Sequence, residues 1–354
     1  MKYYKNIFLI GSPWHAIIIR NFYSKNDGII IEYTSKTSLD SIKNSLDNRH
    51  KIILCVNSRD FFLSNILFKK PAQLFSLKKN ILELISKFKK IKANNLFISN
   101  ENSFLADIVM PLDISKNYFK TEDGINDYLP FSLVQNKFLK KILKPLITKI
   151  TRTENYYFPS KKPKINKKYF FFPNKINDNK IKISLFNYKK KIISNLKKLE
   201  NNEKTIIKKN STLFIGQTLY EDNYCDFESE IKIYKKVIQY FKDRSNYIYF
   251  KPHPRTSARK INELNKIAKK YKIFKLLKSN YPVEVMLTKY KFLYVIGLWS
   301  ASIILSRKLF NIKSYTIIPM LLEIKKNFFL LKIHRVLKKK FPLDYLDFRE
   351  IKWK

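Results

Sequence analysis

Four short apolar runs in the first hundred residues constrain the fold more than any other feature of this chain. They cover residues 6–10, 28–33, 51–56 and 95–99, and each is dominated by β-branched, Leu or aromatic side chains. Segments of helical length, such as residues 76–91, separate them. Runs of four to six apolar residues without polar alternation fit strands covered on both faces, and helical spacers between them fit the crossovers of a parallel sheet. A Rossmann-like domain over residues 1–190 is therefore predicted. From about residue 151 to 209 the pattern degrades into Lys, Asn and Pro with isolated aromatic clusters such as residues 169–172, which predicts an irregular connector.

A second series follows: strands at 211–215, 247–251 and 272–276, helices at 228–242 and 258–271, and an apolar run at 292–296 that ends at Gly297. It predicts another Rossmann-like domain over residues 205–330, with a basic helix or tail over 331–354. A length of 354 residues accommodates two such domains. The predicted fold class is α/β, a GT-B architecture of two Rossmann-like domains facing a central cleft.

The chain carries 71 Lys and Arg against 28 Asp and Glu, a formal charge of +43, which draws it toward polyanions or anionic lipid. Lys far outnumbers Arg and the basic residues are spread along the whole chain, whereas base-edge readout favours clustered Arg. No nucleic-acid partner is expected. The two cysteines, Cys55 and Cys225, lie in unrelated contexts, so neither a disulfide framework nor a metal site is predicted. The longest apolar stretch, residues 292–305, falls short of the roughly 20 residues a bilayer requires. A cytoplasmic protein is expected, peripheral on the inner face of the inner membrane. The stretch 325–340 alternates apolar residues with Lys and Arg at helical spacing, which fits either an anionic membrane surface or a docking helix.

In open parallel sheets ligands sit beyond the carboxyl ends of the strands, so the residues following each run carry the chemistry. The sharpest group is Lys251-Pro252-His253-Pro254-Arg255. Two prolines stiffen the backbone around a His flanked by two cations, an arrangement able to hold a phosphate and protonate its leaving oxygen. The second is Glu122-Asp123-Gly124, paired carboxylates on a turn that glycine permits, where a base could be held. In the third, Gly297 precedes Ser300-Ala301-Ser302 at a strand-to-helix junction, where helix amides and hydroxyls could meet a phosphate. Gly216-Gln217 ends another strand, with room for close approach and an amide for a sugar or base, and Glu284 follows Pro282 where a ribose diol could sit. The remaining histidines, His15, His50 and His334, are read as structural.

Taken in order, Glu122-Asp123-Gly124, Gly216-Gln217, Lys251-Pro252-His253-Pro254, Pro282-Val283-Glu284 and Gly297 with Ser300 resemble bacterial sialyltransferases, namely glycosyltransferase family 52 and the bacterial polysialyltransferases. The resemblance implies CMP-N-acetylneuraminic acid as donor, a glycan or glycolipid acceptor ending in galactose or sialic acid, inversion at the anomeric carbon, and no metal or other cofactor. Carried over, it makes Glu122 the general base with Asp123 as the alternative, and His253 the group that protonates departing CMP. Lys251 and Glu284 would hold the nucleoside, with Ser300 and the Gly297 turn on the phosphate. The Ser motif departs from the family's adjacent pair, since Ala301 separates Ser300 from Ser302. Asp222, Asp226, Glu228 and Glu230 stand close enough to Gln217 to compete as the base. A homodimer is compatible with the sequence. The competing readings are another donor such as CMP-Kdo, or a non-catalytic polyanion-binding protein.

Overall fold

The computed structural model describes residues 1–61, 72–129, 145, 148–149, 151–157, 162–176, 181–199, 206–279, 281–325, 328–341 and 343–345. The chain divides into two compact units, Met1–Asn195 and Leu196–Lys354. Each is an α/β layer structure built on one parallel sheet, as the apolar runs predict.

Among the described residues the first unit holds seven strands: β1 (Lys2–Ile10), β2 (Gly28–Tyr33), β3 (Ile52–Asn57), β4 (Ile91–Ile98), β5 (Ser115–Thr121), β6 (Lys167–Phe170) and β7 (Ile181–Ser184). Their order is β3-β2-β1-β4-β5-β6-β7. Side chains alternate across the sheet with period two. Ile7, Leu9, Ile30, Leu96 and Ile98 enter one core, while Phe8, Ile10, Ile29, Ile31 and Phe97 enter the other. Both faces are thus covered, which is why these runs lack polar alternation. The helix Gln73–Lys89 covers one face through Leu77, Ile81, Leu84, Ile85 and Phe88, an i, i+4, i+7 stripe.

The region predicted as an irregular connector contains β6 and β7, which extend this sheet beyond β5. Both strands have only four residues, and β6 reads Lys-Lys-Tyr-Phe. What makes them strands is a neighbouring edge to pair with, a long-range term that a short lysine-rich stretch does not display. Residues 158–161, 177–180 and 200–205 of that connector lie outside the described residues.

The second unit holds β8 (Ser211–Ile215), β9 (Tyr247–Lys251), β10 (Phe274–Leu276), β11 (Phe292–Gly297), β12 (Lys313–Thr316) and β13 (Asp344–Tyr345), in the order β10-β9-β8-β11-β12-β13. The helix Phe227–Phe241 starts at Asp226, whose side chain accepts from the Ser229 N–H, and buries Ile231, Tyr234, Val237, Ile238 and Phe241. The basic helix Phe328–Lys340 buries Leu330, Ile333 and Leu337. Its apolar stripe is spent inside the protein, so contact with a lipid surface would fall to its lysines. Residues 346–354 of the predicted tail lie outside the described residues. No helix among the described residues is long and apolar enough to cross a membrane.

In each sheet the strand order reverses direction at one point, between β1 and β4 in the first unit and between β8 and β11 in the second. Crossovers leave that point in opposite directions and open a crevice at the carboxyl ends of the strands. The chemistry-bearing residues lie along these carboxyl edges.

Candidate functional site

In the first unit, β5 delivers Glu122 and Asp123 to the carboxyl edge, and successive side chains diverge. Gly124 follows with φ 97°, a left-handed backbone that accepts glycine readily and turns the chain immediately after the acidic pair. Glu122 is 1% exposed. One of its carboxylate oxygens accepts hydrogen bonds from the Tyr128 hydroxyl and from the Phe171 N–H. Burial pushes its pKa up to about 8, against the pull of those two donors. The resemblance made Glu122 the base, but the structure turns it into the core.

Asp123 points the other way. Its Oδ1 lies 2.9 Å from Nε2 of His15, an ion-pair contact rather than an aligned hydrogen bond. Nδ1 of His15 accepts from the Gly11 N–H at 3.1 Å, which puts the ring proton on Nε2, toward the carboxylate. His15 itself is fixed by the first turn of the helix Pro13–Ile19, where the Ser12 side chain accepts from the His15 N–H and Pro13 occupies the start. His15, read from sequence as structural, therefore belongs to the same cluster as Asp123. The signal was present, because Gly11-Ser12-Pro13 closes β1 as the other motifs close their strands.

These residues border a cavity of ≈ 210 Å³ at the reversal between β1 and β4, with Glu32 at the end of β2 on another wall. Burial raises the pKa of Glu32, and hydrogen bonds from Ser103, Ser58 and the Leu105 N–H act the opposite way.

In the second unit, adjacent parallel strands align their ends. Ile215 of β8 is in register with Lys251 of β9, and Phe214 with Ile296 of β11. Gly216-Gln217, Pro252-His253-Pro254 and Gly297 to Ser300 therefore leave the sheet at one edge. Lys251 is buried, and its Nζ donates to the Ser279 carbonyl at 2.8 Å. Nδ1 of His253 accepts from the Arg255 N–H at 3.1 Å, which leaves the proton on Nε2. Burial, reinforced by the Arg255 charge, brings its pKa down to about 4. His253 is neutral at pH 7, a donor through Nε2 on a loop that two prolines stiffen.

The structure pairs Glu284 with Ser302: the Ser302 hydroxyl donates to Oε1 at 2.7 Å, joining the helices Val283–Lys289 and Ala301–Phe310. Glu284 is 4% exposed and burial raises its pKa. Ser300 caps the second of these helices by accepting from the Ser302 N–H. Both serines thus have partners within the protein that the sequence left open.

Gly216 and Gly297 are also explained internally. A Cβ at Gly216 would meet the Phe250 ring at 2.7 Å and the Lys251 carbonyl at 3.0 Å, and one at Gly297 would meet Ile303 at 2.7 Å. Close packing of strand on strand and of helix on strand accounts for these glycines, where the sequence suggested approach of a ligand.

The alternative acids after Gln217 are structural. Asp222 forms a bidentate pair with Arg255, at 2.9 and 3.0 Å, and Asp226 caps a helix. Glu228 is a surface partner of Arg259. Glu230, fully buried, binds Lys260 at 2.7 and 2.8 Å and accepts from the Tyr234 hydroxyl. Lys260 also donates to Glu221 and to the Gln217 carbonyl, so a buried charge network pins the turn that carries Gln217. The clue was a lysine on the apolar stripe with Leu264 and Ile267, obscured in a chain with so many lysines. Among the described residues no three of His, Cys, Asp and Glu gather as a metal ion would require.

The family described as alpha-2,8-polysialyltransferase (POLYST) matches residues 6–318, nearly the whole span of both sheets. The chain belongs to that family. It is accordingly a sialyltransferase-type glycosyltransferase, which uses a nucleotide-sugar donor and a glycan acceptor. No curated protein sequence matches it. Among solved structures it is similar to the UDP-GlcNAc 2-epimerase of Methanocaldococcus jannaschii in complex with UDP-GlcNAc and UDP, at 16% identity over 96% of this chain and 92% of that one, with a TM-score of 0.51. It is also similar to the Neisseria meningitidis UDP-GlcNAc 2-epimerase bound to UDP-GlcNAc, at 13% identity over 88% and 82%, again with a TM-score of 0.51. At such identities the likeness concerns the fold, and it agrees with a GT-B architecture of two Rossmann-like units.

The buried acid has a measurable consequence for stability. With its folded pKa near 8, Glu122 stays protonated while its unfolded counterpart ionises from about 4.5 upward. The folded state then binds more protons than the unfolded state, and stability falls as pH rises through that window. Glu122→Gln removes the ionisable group and keeps the shape. Thermal melts of the wild type are expected to show Tm declining between pH 5 and 8, and the variant a shallower decline. Parallel Tm curves would show that Glu122 is ionised in the fold.

Proposed function

We propose that this glycosyltransferase is an inverting sialyltransferase that needs no metal ion and moves N-acetylneuraminic acid from CMP-N-acetylneuraminic acid to a hydroxyl of a bacterial surface glycan, in lipooligosaccharide or capsule. The observation that carries the reading is a pair of clusters at the carboxyl edges of the two sheets: a carboxylate held by a tautomer-fixed histidine in one unit, and a tautomer-fixed, proline-braced histidine beside a buried lysine in the other.

Asp123 takes the proton of the acceptor hydroxyl as its oxygen attacks the anomeric carbon. The bond from that carbon to the CMP phosphate oxygen breaks, and its electron pair stays with the phosphate. One in-line displacement inverts the configuration. Nε2–H of the neutral His253 ring donates a hydrogen bond to the departing oxygen and stabilises the charge that develops there, while Nδ1 stays with the Arg255 N–H. Glu284, held by Ser302, serves the nucleoside, and Lys251 supplies positive charge nearby. A monophosphate leaving group develops less charge than a diphosphate, and these protein groups suffice to meet it.

The test is release of CMP from CMP-N-acetylneuraminic acid by the purified full-length chain, with and without EDTA. Release that persists in chelator is the expected result. Neither release nor binding of CMP would sink the sialyl-transfer reading, and release of CMP only from CMP-Kdo would change the donor.

A further inference from the structure

The helix Gln73–Lys89 covers a core of the first unit with one stripe and shows a second apolar feature to the outside. Phe75 is 95% exposed and Leu82 is 46% exposed. Seven residues apart, they stand nearly in line on one side of the helix, about 10 Å from each other along its axis. Leu77, Ile81, Leu84, Ile85 and Phe88 occupy the opposite side. The fold gains little from Phe75, whose ring meets solvent over almost all of its surface. Among the described residues no other helix exposes a large apolar side chain; Met1, Tyr3, Ile52, Ile181, Ile206 and Leu293 lie on strands or loops. Lysines flank the Phe75–Leu82 crest. Lys78, Lys79 and Lys89 are exposed, and helical geometry sets each within about 60° of it. Glu83, the one acid of the helix, stands farther round.

We propose that this crest docks the protein on an anionic lipid bilayer, with Phe75 and Leu82 entering the headgroup boundary and the three lysines reaching lipid phosphates on either side. Interfacial binding grows with the apolar area buried and with attraction to anionic lipid, and long lysine stems let the ammonium groups stay at headgroup level while the ring goes deeper. The stretch 325–340, which also fits a membrane surface by sequence, has Leu330, Ile333 and Leu337 inside the protein, so it offers a bilayer charge without apolar surface. Gln73–Lys89 offers both together. A second copy docked crest to crest would set these lysines against their own equivalents, and like charges brought together disfavour such a contact. A bilayer surface of anionic lipid complements them.

Two measurements on the full chain test this. The first is flotation with vesicles of phosphatidylcholine and phosphatidylglycerol in about equal parts, at about 0.15 M salt. The double variant Phe75→Ala with Leu82→Ala leaves the charge unchanged, and it is expected to need at least about fivefold more lipid for half-maximal binding. Lys78→Glu with Lys79→Glu should do the same. Two controls should bind as the wild type does: Ile181→Ala, which removes an exposed apolar group elsewhere, and Lys269→Glu with Lys270→Glu, which makes the same charge change on the other unit. The second measurement is fluorescence of Phe75→Trp with lipids brominated along their acyl chains, expected to show quenching beyond that of the wild type. This variant keeps an aromatic ring in place, so the test survives if the alanine pair folds poorly.

Unchanged binding by the alanine pair, an equal loss in the controls, no flotation of the wild type, or no added quenching overturns the proposal. A wild-type oligomer that the alanine pair dissolves, seen by sedimentation, also overturns it and makes the crest a contact between copies.

Discussion

His253→Ala is expected to lower the turnover of CMP-N-acetylneuraminic acid by two to four orders of magnitude and leave the fold unchanged. The loss of a positioned proton donor to a leaving group is typically about 10²- to 10⁴-fold. The stiff loop makes the upper part of that range the expectation, since the ring is fixed by the Arg255 N–H on Nδ1 and by prolines on both sides. Unchanged Tm is part of the prediction, because the ring lies at the half-buried edge of the sheet and supports no core packing. His253→Gln, which can offer an N–H near the position of Nε2, should recover a fraction of the loss. If the alanine variant turns over donor within threefold of the wild type, His253 is a turn residue and the leaving group is served by another group.

Asp123→Asn is the second large effect, an expected loss of about 10²- to 10⁴-fold in transfer, with binding of CMP unaffected. Asparagine keeps the size and can still meet His15, so the lost activity would report the missing basicity. The informative comparison is Glu122→Gln in the same assay. Glu122 lies 1% exposed behind Tyr128 and Phe171, and its amide variant should cost less than tenfold. The reverse ranking, an inactive Glu122→Gln beside an active Asp123→Asn, would return the role of base to Glu122. It would also require β5 and its turn to rearrange when substrate binds.

The contrast between these neighbouring acids shows where sequence reading ends. The motif Glu122-Asp123-Gly124 announced a base on a glycine turn, and the turn is there, with Gly124 in the left-handed region. Adjacent residues leaving a strand face opposite ways, so one of the two had to enter the core. The Tyr128 hydroxyl and the Phe171 N–H receive Glu122, and the helix after β1 supplies His15 to Asp123 from more than a hundred residues away. Phe171 reaches Glu122 because β6 pairs beside β5, and β6 itself had no visible signature. Likewise Lys260 looks like one more surface lysine until Glu221 and Glu230 close around it.

The sequence by itself determined two things about this protein. Its short, unalternating apolar runs, whose residues must be buried on both faces, dictated two parallel sheets, and the order of its strand-end motifs marked its family. Tertiary structure alone decided which acid faces a cavity, which glycines serve packing, which serine holds Glu284, and that two acidic side chains line one cavity of a strongly basic chain. The physical reason is range. Hydrophobic periodicity and turn chemistry act between near neighbours and can be read along the chain. Charge pairing, side-chain direction at a strand end and the lining of a crevice depend on segments that meet only when the sheet has assembled.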